Sequence, residues 1–266
     1  MAKLFQFVIL FLLVIPHISA QQTDTLKPRL DTIIIPNNAF QIGEKLVYSA
    51  KYGIIEGGRA YLSVNVIPHG YTYVYHAKAY AETVGITDKF ATIRDIYESY
   101  FDIESGLPIM AVRNIQENNY LQYDEVRFDR QNNIALSLRN GLHQVPADVM
   151  DVLSAFYFAR TYLFKNLTKN QVIVIQTYFE DGLFPVEMKF KGYENVKTRF
   201  GKIKCLTFGP IIREKSPFAK EEDLRIWFSD DGNYLPVKVH VKIPVGSVKL
   251  ELIQYEGLKY DLKIEK

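Results

Sequence analysis

Apolar and polar residues alternate along most of the chain after residue 40, in short runs that end at clusters of Gly, Pro, Asn and Asp. A period of two is typical of a strand with one buried face, and the clusters are typical of tight turns. The pattern predicts strands at 45–52, 59–67, 71–82, 95–101, 108–116, 120–128, 134–139, 171–178, 185–193, 197–208, 224–229, 236–243 and 247–255. Because the connections are short, we expect consecutive strands to pair as an antiparallel meander.

The period changes once, where apolar residues recur at helical spacing between Val149 and Leu163. Pro146 stands where a first helical residue often does, and Asp151 suits the positive end of a helix dipole. We therefore predict one α-helix over 146–163. A sheet of about a dozen twisted strands rarely stays flat. The expected fold is all-β and mainly antiparallel, a large meander sheet curled into a barrel-like shell that the helix plugs or covers.

The N-terminus has the pattern of a secretory signal peptide, with Lys3, an apolar run from Leu4 to Ile15, and the small Ala20 before the expected cleavage point. That run is shorter than the roughly 20 residues of a membrane-spanning helix. We predict a signal peptide at 1–20, a disordered tether at 21–39 and a single β-rich domain at 40–266. The mature protein is then exported without a transmembrane segment, to the periplasm of a Gram-negative bacterium, or to the cell surface or medium.

Composition supports one well-packed exported domain. The 266 residues are 48% hydrophobic and 14% aromatic, which is ample for a core. The net charge of +2, which falls to +1 without Lys3, gives no support for a nucleic-acid partner. Cys205 is the single cysteine, so an internal disulfide and a lipid anchor on a cysteine after the cleavage point are both excluded. We expect Cys205 to be a buried structural thiol and the protein to be a monomer by default.

The sequence shows no pattern that specifies a reaction. It lacks the Gly-x-Ser-x-Gly of a nucleophile elbow. Histidines at 69, 76, 143 and 240 do not have the spacing of a zinc site, so we predict no metal and no cofactor. His240 alternates with lysines, which places it on a solvated strand face. His76 either points into a pocket or pairs with a neighbour.

Three stretches resemble a known family: 43–48 leading into 53–62, the helix start 151–157 with Arg160, and 227–231 followed by 235–237. Together they resemble the DUF3108 family of bacterial exported proteins. The resemblance implies a large antiparallel meander, similar to YmcC-like envelope folds and more loosely to periplasmic lipoprotein carriers. It implies no catalytic residues. The family-motif positions whose role stays open are Asp151, Ser154, Arg160, Trp227, Ser229, Asp230 and Pro236.

Two of those motifs also have a plain structural interpretation. Asp151, Ser154 and Arg160 are expected to cap strand ends against the helix. The stretch around Trp227 fits a strand that ends at Ser229, a turn that begins at Asp230, and a return strand that begins at Pro236.

Tyrosines give the one signal above background for a ligand. Tyr71, Tyr73 and Tyr75 share one strand face. Aromatic strips of this kind line ligand cavities for lipid or sugar, and they also fill large cores. Both interpretations remain open at this stage.

The predicted tether contains two possible modification sites. Asp24-Thr25-Leu26 and Asp31-Thr32-Ile33 resemble the acceptor of periplasmic O-glycosylation in some Gram-negative bacteria. Thr25 and Thr32 are therefore candidate O-glycosylation sites.

Three functions follow as hypotheses. The leading one is a non-enzymatic envelope protein that binds or carries an apolar or glycan ligand. The alternative is a periplasmic hydrolase of cell wall or polysaccharide, in which Glu98, Glu125 or Glu187 form a carboxylate pair inside the shell. The third is a structural assembly factor with a filled interior and an exposed apolar patch.

Overall fold

A computed structural model describes residues 37–164, 166–180, 182–211, 223–243 and 246–265. The predicted signal peptide and most of the tether, with Thr25 and Thr32, lie outside these residues. So does most of the segment 209–223, where prolines and a charged run interrupt the strand pattern and predict a long loop. The strands are β1 Lys45–Tyr52, β2 Ile55–His69, β3 Thr72–Thr83, β4 Arg94–Asp102, β5 Pro108–Glu117, β6 Tyr120–Asp129, β7 Ile134–Ser137, β8 Gly141–Gln144, β9 Val172–Ile175, β10 Tyr178–Phe179, β11 Gly182–Leu183, β12 Val186–Thr198, β13 Gly201–Pro210, β14 Leu224–Ser229, β15 Pro236–Lys242 and β16 Ser247–Glu256. The helices are α1 Gly85–Asp88 and α2 Val152–Phe158, and α2 continues into a π turn at Ala159–Leu163.

Fourteen of the described strands form one antiparallel sheet, in the order β8-β7-β6-β5-β4-β3-β2-β1-β16-β15-β14-β13-β12-β9. The chain meanders from β1 outward to β8, crosses to the opposite edge, and returns from β12 to β16 beside β1. The predicted fold class, a large antiparallel meander that curls around one main helix, is therefore confirmed.

Several predicted boundaries are wrong. The first hairpin turns at Gly53 and Ile54, and β2 begins at Ile55, where the sequence suggested a turn over 55–58. Gly53 has a φ of 59°, a conformation that glycine adopts without a steric penalty. The predicted break between 193 and 197 is absent because β12 runs through it to Thr198. Strand β8 was missed because its four residues do not alternate enough to be recognised.

The main helix is shorter than predicted. It begins after Asp151, whose side chain accepts hydrogen bonds from the backbone N–H groups of Leu153 and Ser154. The Ser154 hydroxyl accepts in turn from the Asp151 N–H, which completes a capping box. Pro146 lies in the connection before the helix. The helical spacing of apolar residues upstream of Asp151 therefore misled the prediction.

Helix α2 fills the concave side of the curled sheet. All of its residues from Val152 to Tyr157 are buried. The Tyr157 ring lies 4.6 Å from Phe40 and 5.9 Å from Phe101, while Phe164, after the π turn, contacts Phe208 and Phe228. The sheet and the helix thus share one aromatic-rich core.

The two edges of the sheet approach each other through the segment that follows β9. Met150 and Thr177 form a parallel bridge, with backbone hydrogen bonds of 2.9 Å and 2.8 Å on either side. The Tyr178 ring then packs against Phe128 of β6 and His143 of β8. The sheet is therefore curled but not closed by strand pairing.

A buried ion pair joins the helix to the sheet. Arg160 in the π turn and Glu44 just before β1 have fully buried side chains, and two guanidinium nitrogens each lie 2.7 Å from a carboxylate oxygen. The same guanidinium donates to the backbone oxygens of Asn233, at 3.0 Å, and Ala39, at 3.3 Å. The packed chain therefore includes Ala39, and three separate segments, 39–44, the π turn and the turn at Asn233, meet at one side chain.

Asp95 of β4 is buried on the concave face as well. One of its oxygens accepts the Gln116 N–H at 3.1 Å, and the other has no hydrogen-bond partner among the described residues. Burial raises the pKa of Asp95 to about 7. The folded protein therefore holds a carboxylic acid that is protonated near neutral pH.

Removal of both members of the buried ion pair should cost less stability than the two single removals added together. Arg160→Met leaves the Glu44 charge buried without a partner, so we expect a loss of about 3–5 kcal/mol in the free energy of unfolding. Glu44→Leu combined with Arg160→Met should lose less than the sum of the two single variants. Urea unfolding followed by circular dichroism measures this. Lys45→Met, which breaks an exposed pair with Glu256, should cost less than about 1 kcal/mol; additive single variants would contradict the prediction.

Asp95 should make stability fall as pH rises from about 4 to about 7. In this window the unfolded chain has lost a proton that the folded chain keeps, so the pKa that burial raises destabilises the fold by about 1.4 kcal/mol for each pKa unit. Asp95→Asn should therefore be more stable than the wild type at pH 8, with a smaller difference at pH 4. Urea midpoints across this range test it. Asp261→Asn, at an exposed position, is the control. Equal pH profiles of stability for Asp95→Asn and the wild type would contradict the prediction.

Candidate ligand-binding groove

The interior offers little room for a ligand. A cavity of about 50 Å³ lies between the concave face of β4 to β6 and the start of α2, and its lining includes Tyr97, Arg113 and Phe179. That volume holds a few water molecules at most. Sites for drug-sized ligands typically measure about 300–1,000 Å³.

The three predicted ligand-binding tyrosines do not line a cavity. Tyr75 is packed in the core between Phe40 and Phe101, with ring centroids 5.2 Å from each. Tyr73 is 60% exposed, and Tyr71 lies fully exposed in the turn between β2 and β3. The structure therefore separates residues that strand periodicity had grouped on one face.

The larger cavity is a groove of about 460 Å³ on the outer surface. Its lining is polar and mostly charged: Ser49, Lys51, Glu56, Arg59, Lys197, Thr198, Arg199, Val237, Lys238, Glu251, Leu252 and Ile253. Its volume falls in the range of small-molecule sites. We take this groove as the candidate functional site.

Strand alternation positions one wall of the groove. Ser49 of β1 pairs with Arg59 of β2 on one side and with Glu251 of β16 on the other, and Glu251 pairs with Lys238 of β15. Residues directly opposite in an antiparallel sheet share a face. Their chain neighbours, such as Ala50, are buried in the core, so this row of polar side chains points outward.

The tip of the β12–β13 hairpin forms the opposite wall. Arg199 donates to the Ile253 carbonyl at 2.9 Å, and the Phe200 ring lies 5.0 Å from Tyr255. Gly201 has a φ of 128°, and a Cβ there would lie 2.5 Å from Ile264. A glycine is therefore required where the hairpin turns against the C-terminal segment.

Ion pairs organise part of the groove. Glu251 accepts Lys51 at 2.8 Å and lies 3.5 Å from Lys238, while Arg59 lies 2.9 Å from Glu56. Although burial opposes it, these lysines hold the pKa of Glu251 below its usual value. The hydrogen bond from Arg59 likewise lowers the pKa of Glu56. Both carboxylates are thus ionised at neutral pH and neutralise part of the positive charge.

Ser49 forms part of the groove lining and is only 2% exposed. Its hydroxyl lies close to the Glu56 carboxylate and, after Arg59, helps to lower the pKa of that group. Because the hydroxyl oxygen is fully buried, Ser49 supports the groove from beneath and offers no donor to a ligand.

The acids proposed for hydrolysis are not brought together. Glu98 and Glu125 lie on the outer face of β4 and β6, on either side of Val112 in the strand pairing. Glu98 contacts Lys78 at 2.9 Å, and Glu125 contacts Arg127 at 2.6 Å. Glu187 lies on β12, close to the opposite edge of the sheet. No carboxylate pair inside the shell is formed by these three residues.

His76, His240 and Cys205 make packing and strand-pairing contacts. The His76 ring stacks on Tyr100 with centroids 4.5 Å apart, and His240 lies on the outer face opposite Lys249. Cys205 is fully buried, and burial raises the pKa of its thiol to about 12. It is a buried thiol, as the sequence indicated.

The family-motif positions converge on packing contacts. Besides its capping role, Asp151 accepts a hydrogen bond from Ser99. Trp227 donates to Glu194 at 2.9 Å, and Ser229 donates to Asp231 at 2.8 Å. Strand β14 ends at Ser229, where the hydroxyl also accepts the Leu235 N–H. Two further positions complete the set: Asp230, which contacts Lys204, and Pro236, which begins β15.

The comparison with family models agrees with these motifs. The model described as "Protein of unknown function (DUF3108)" matches residues 47–253. The chain belongs to the DUF3108 family. Comparison of this DUF3108 sequence with curated proteins gives no match.

Two solved structures are similar to this DUF3108 chain. A β-barrel-like protein of the DUF1849 domain from Brucella abortus has a TM-score of 0.54 and 9% sequence identity, over 83% of this chain and 99% of that one. A DUF1089 family protein from Pseudomonas aeruginosa has a TM-score of 0.39 and 10% identity, over 67% of this chain and 87% of that one. The first likeness shows a barrel-like fold.

Among the residues that the structure describes, no three or more His, Cys, Asp or Glu side chains are placed to hold a metal ion. In the same part of the chain, no helix has the length and hydrophobicity needed to cross a membrane.

Proposed function

We propose that this chain is an exported, non-enzymatic binding protein of the bacterial cell envelope, and that it holds a glycan-like ligand in the outer groove. The groove of about 460 Å³ carries the proposal, because it is large enough for a small ligand while the interior cavity is not. The signal-peptide pattern of the N-terminus supports export.

The lining of the groove favours a hydroxyl-rich ligand over an apolar one. Lys197 and most N–H groups of Arg199 are not engaged by described residues and can donate to a ligand, and the oxygens of Glu56 and Glu251 can accept further hydrogen bonds. A lipid tail would take these groups out of water without replacing those hydrogen bonds, which is costly.

The same lining favours binding over catalysis. It contains neither a histidine nor a cysteine. Both of its carboxylates are engaged by cations at 2.8–2.9 Å, so neither is poised as a general acid with a raised pKa. These features support a carrier or accessory role.

The protein purified from its own envelope should carry a bound molecule. Native mass spectrometry of the mature chain should show added mass, and denaturation should release a hydroxyl-rich compound. Lys197→Trp places a ring at the exposed wall of the groove and should abolish the added mass. Lys45→Trp is the matched control, since Lys45 is also exposed and lies outside the groove lining. An empty wild-type protein, or a Lys197→Trp variant that keeps the ligand, would remove the proposal.

A second candidate, an assembly factor, is favoured by exposed apolar side chains on the outer face of β6 to β8. These are Leu121, Tyr123, Leu136, Leu138 and Leu142, with exposures between 43% and 73%. Exposed apolar patches often mark protein-binding surfaces.

This second candidate predicts a specific neighbour at that surface in cells. A photo-crosslinking amino acid at Leu136 should give one discrete adduct with an envelope protein. The same amino acid at Glu104, an exposed turn position, should give none. Identical crosslinking patterns at the two positions would count against an assembly role.

A further inference from the structure

We propose that the groove selects an acidic ligand, and that Lys197 and Arg199 bind its anionic group, a phosphate, sulfate or carboxylate on an oligosaccharide. This inference rests on the proposed function and deepens it by naming the class of ligand.

The groove carries an excess of positive charge. Its described lining includes five cations, Lys51, Arg59, Lys197, Arg199 and Lys238, against two carboxylates, Glu56 and Glu251. The local charge is therefore +3, although the whole chain carries only +2. Charge of one sign that lines a concave surface attracts ligands of the opposite sign more strongly than the same charge spread over a convex one.

The excess is concentrated on the hairpin tip. The two carboxylates are shared among Lys51, Arg59 and Lys238 on the sheet wall. Lys197 forms no ion pair or hydrogen bond with any described residue. Among the described residues, Arg199 donates only to the Ile253 carbonyl, so most of its N–H donors are not engaged there. These two cations are the ones that an anionic ligand would neutralise.

The sheet wall leaves the hairpin tip as the place where an anion is bound. Its carboxylates and cations are already engaged with one another. An anionic group between the sheet wall and the hairpin tip would accept hydrogen bonds from the Lys197 ammonium and from the remaining N–H groups of Arg199.

A glycan array that carries neutral, uronate, sulfated and phosphorylated oligosaccharides tests the inference with the mature chain. Binding should be confined to the acidic oligosaccharides and should weaken as salt rises. In calorimetric titration with the tightest acidic oligosaccharide, Lys197→Gln with Arg199→Gln should raise Kd about tenfold or more.

Lys45→Gln with Lys89→Gln is the matched control. Both residues are exposed and lie outside the groove lining, so this variant removes the same two charges and should leave Kd unchanged. Equal binding of neutral and acidic oligosaccharides, or equal effects of the two double variants, would overturn the inference while the proposed function stands. If no oligosaccharide binds and the native protein carries no ligand, both fall.

Discussion

The interaction on which the rest of the structure depends is the buried ion pair between Arg160 and Glu44. Both side chains are withdrawn from water, and their charges are tolerable only because each guanidinium nitrogen finds an oxygen. The partners come from the start of β1, the π turn after α2 and the turn between β14 and β15. The pair therefore specifies how the helix packs against the sheet, since any other placement would leave a buried charge without a partner.

The buried ion pair also explains why three separate motifs characterise the chain. Glu44 belongs to the first motif and Arg160 to the second, and Asn233, whose carbonyl receives the Arg160 N–H, lies between the two stretches of the third. Residues far apart in sequence are thus parts of one buried network. Their roles are in packing and capping, and this accounts for motifs that show no catalytic spacing.

The core around the buried ion pair determines where a ligand can bind. Aromatic rings from α2 and the strands occupy the concave side, and Tyr157 contacts both Phe40 and Phe101. Because this interior is filled, a sizeable site lies on the outer face, where the tip of the β12–β13 hairpin contacts β16. The likeness to a barrel is therefore one of shape and does not extend to a ligand-holding lumen.

Strand periodicity was enough to predict the antiparallel meander and most hairpins, because alternation is a local property of each strand. Boundaries failed where a third element intervened: the capping box at Asp151 shortened the helix, and the continuous β12 overrode its apparent break at 194–196. The prediction that the three tyrosines form a ligand site was wrong. Strand periodicity predicts which face of the sheet a side chain lies on, but it does not predict how deeply that side chain is buried near the end of a strand. Tyr73 and Tyr75 illustrate this, since they differ by two positions and one is exposed while the other is packed.

The groove could not be predicted from the sequence, for a different reason. Its cations come from β1, β2, β15 and a hairpin tip, and they are separated along the chain by up to about 190 residues between Lys51 and Lys238. A balanced net charge conceals such a local excess, because the charges that cancel in the sum lie elsewhere on the surface. Only the strand order that places β1 beside β16 brings them together. The information about the ligand therefore lies in the pairing of remote strands, where composition and motif spacing give no signal.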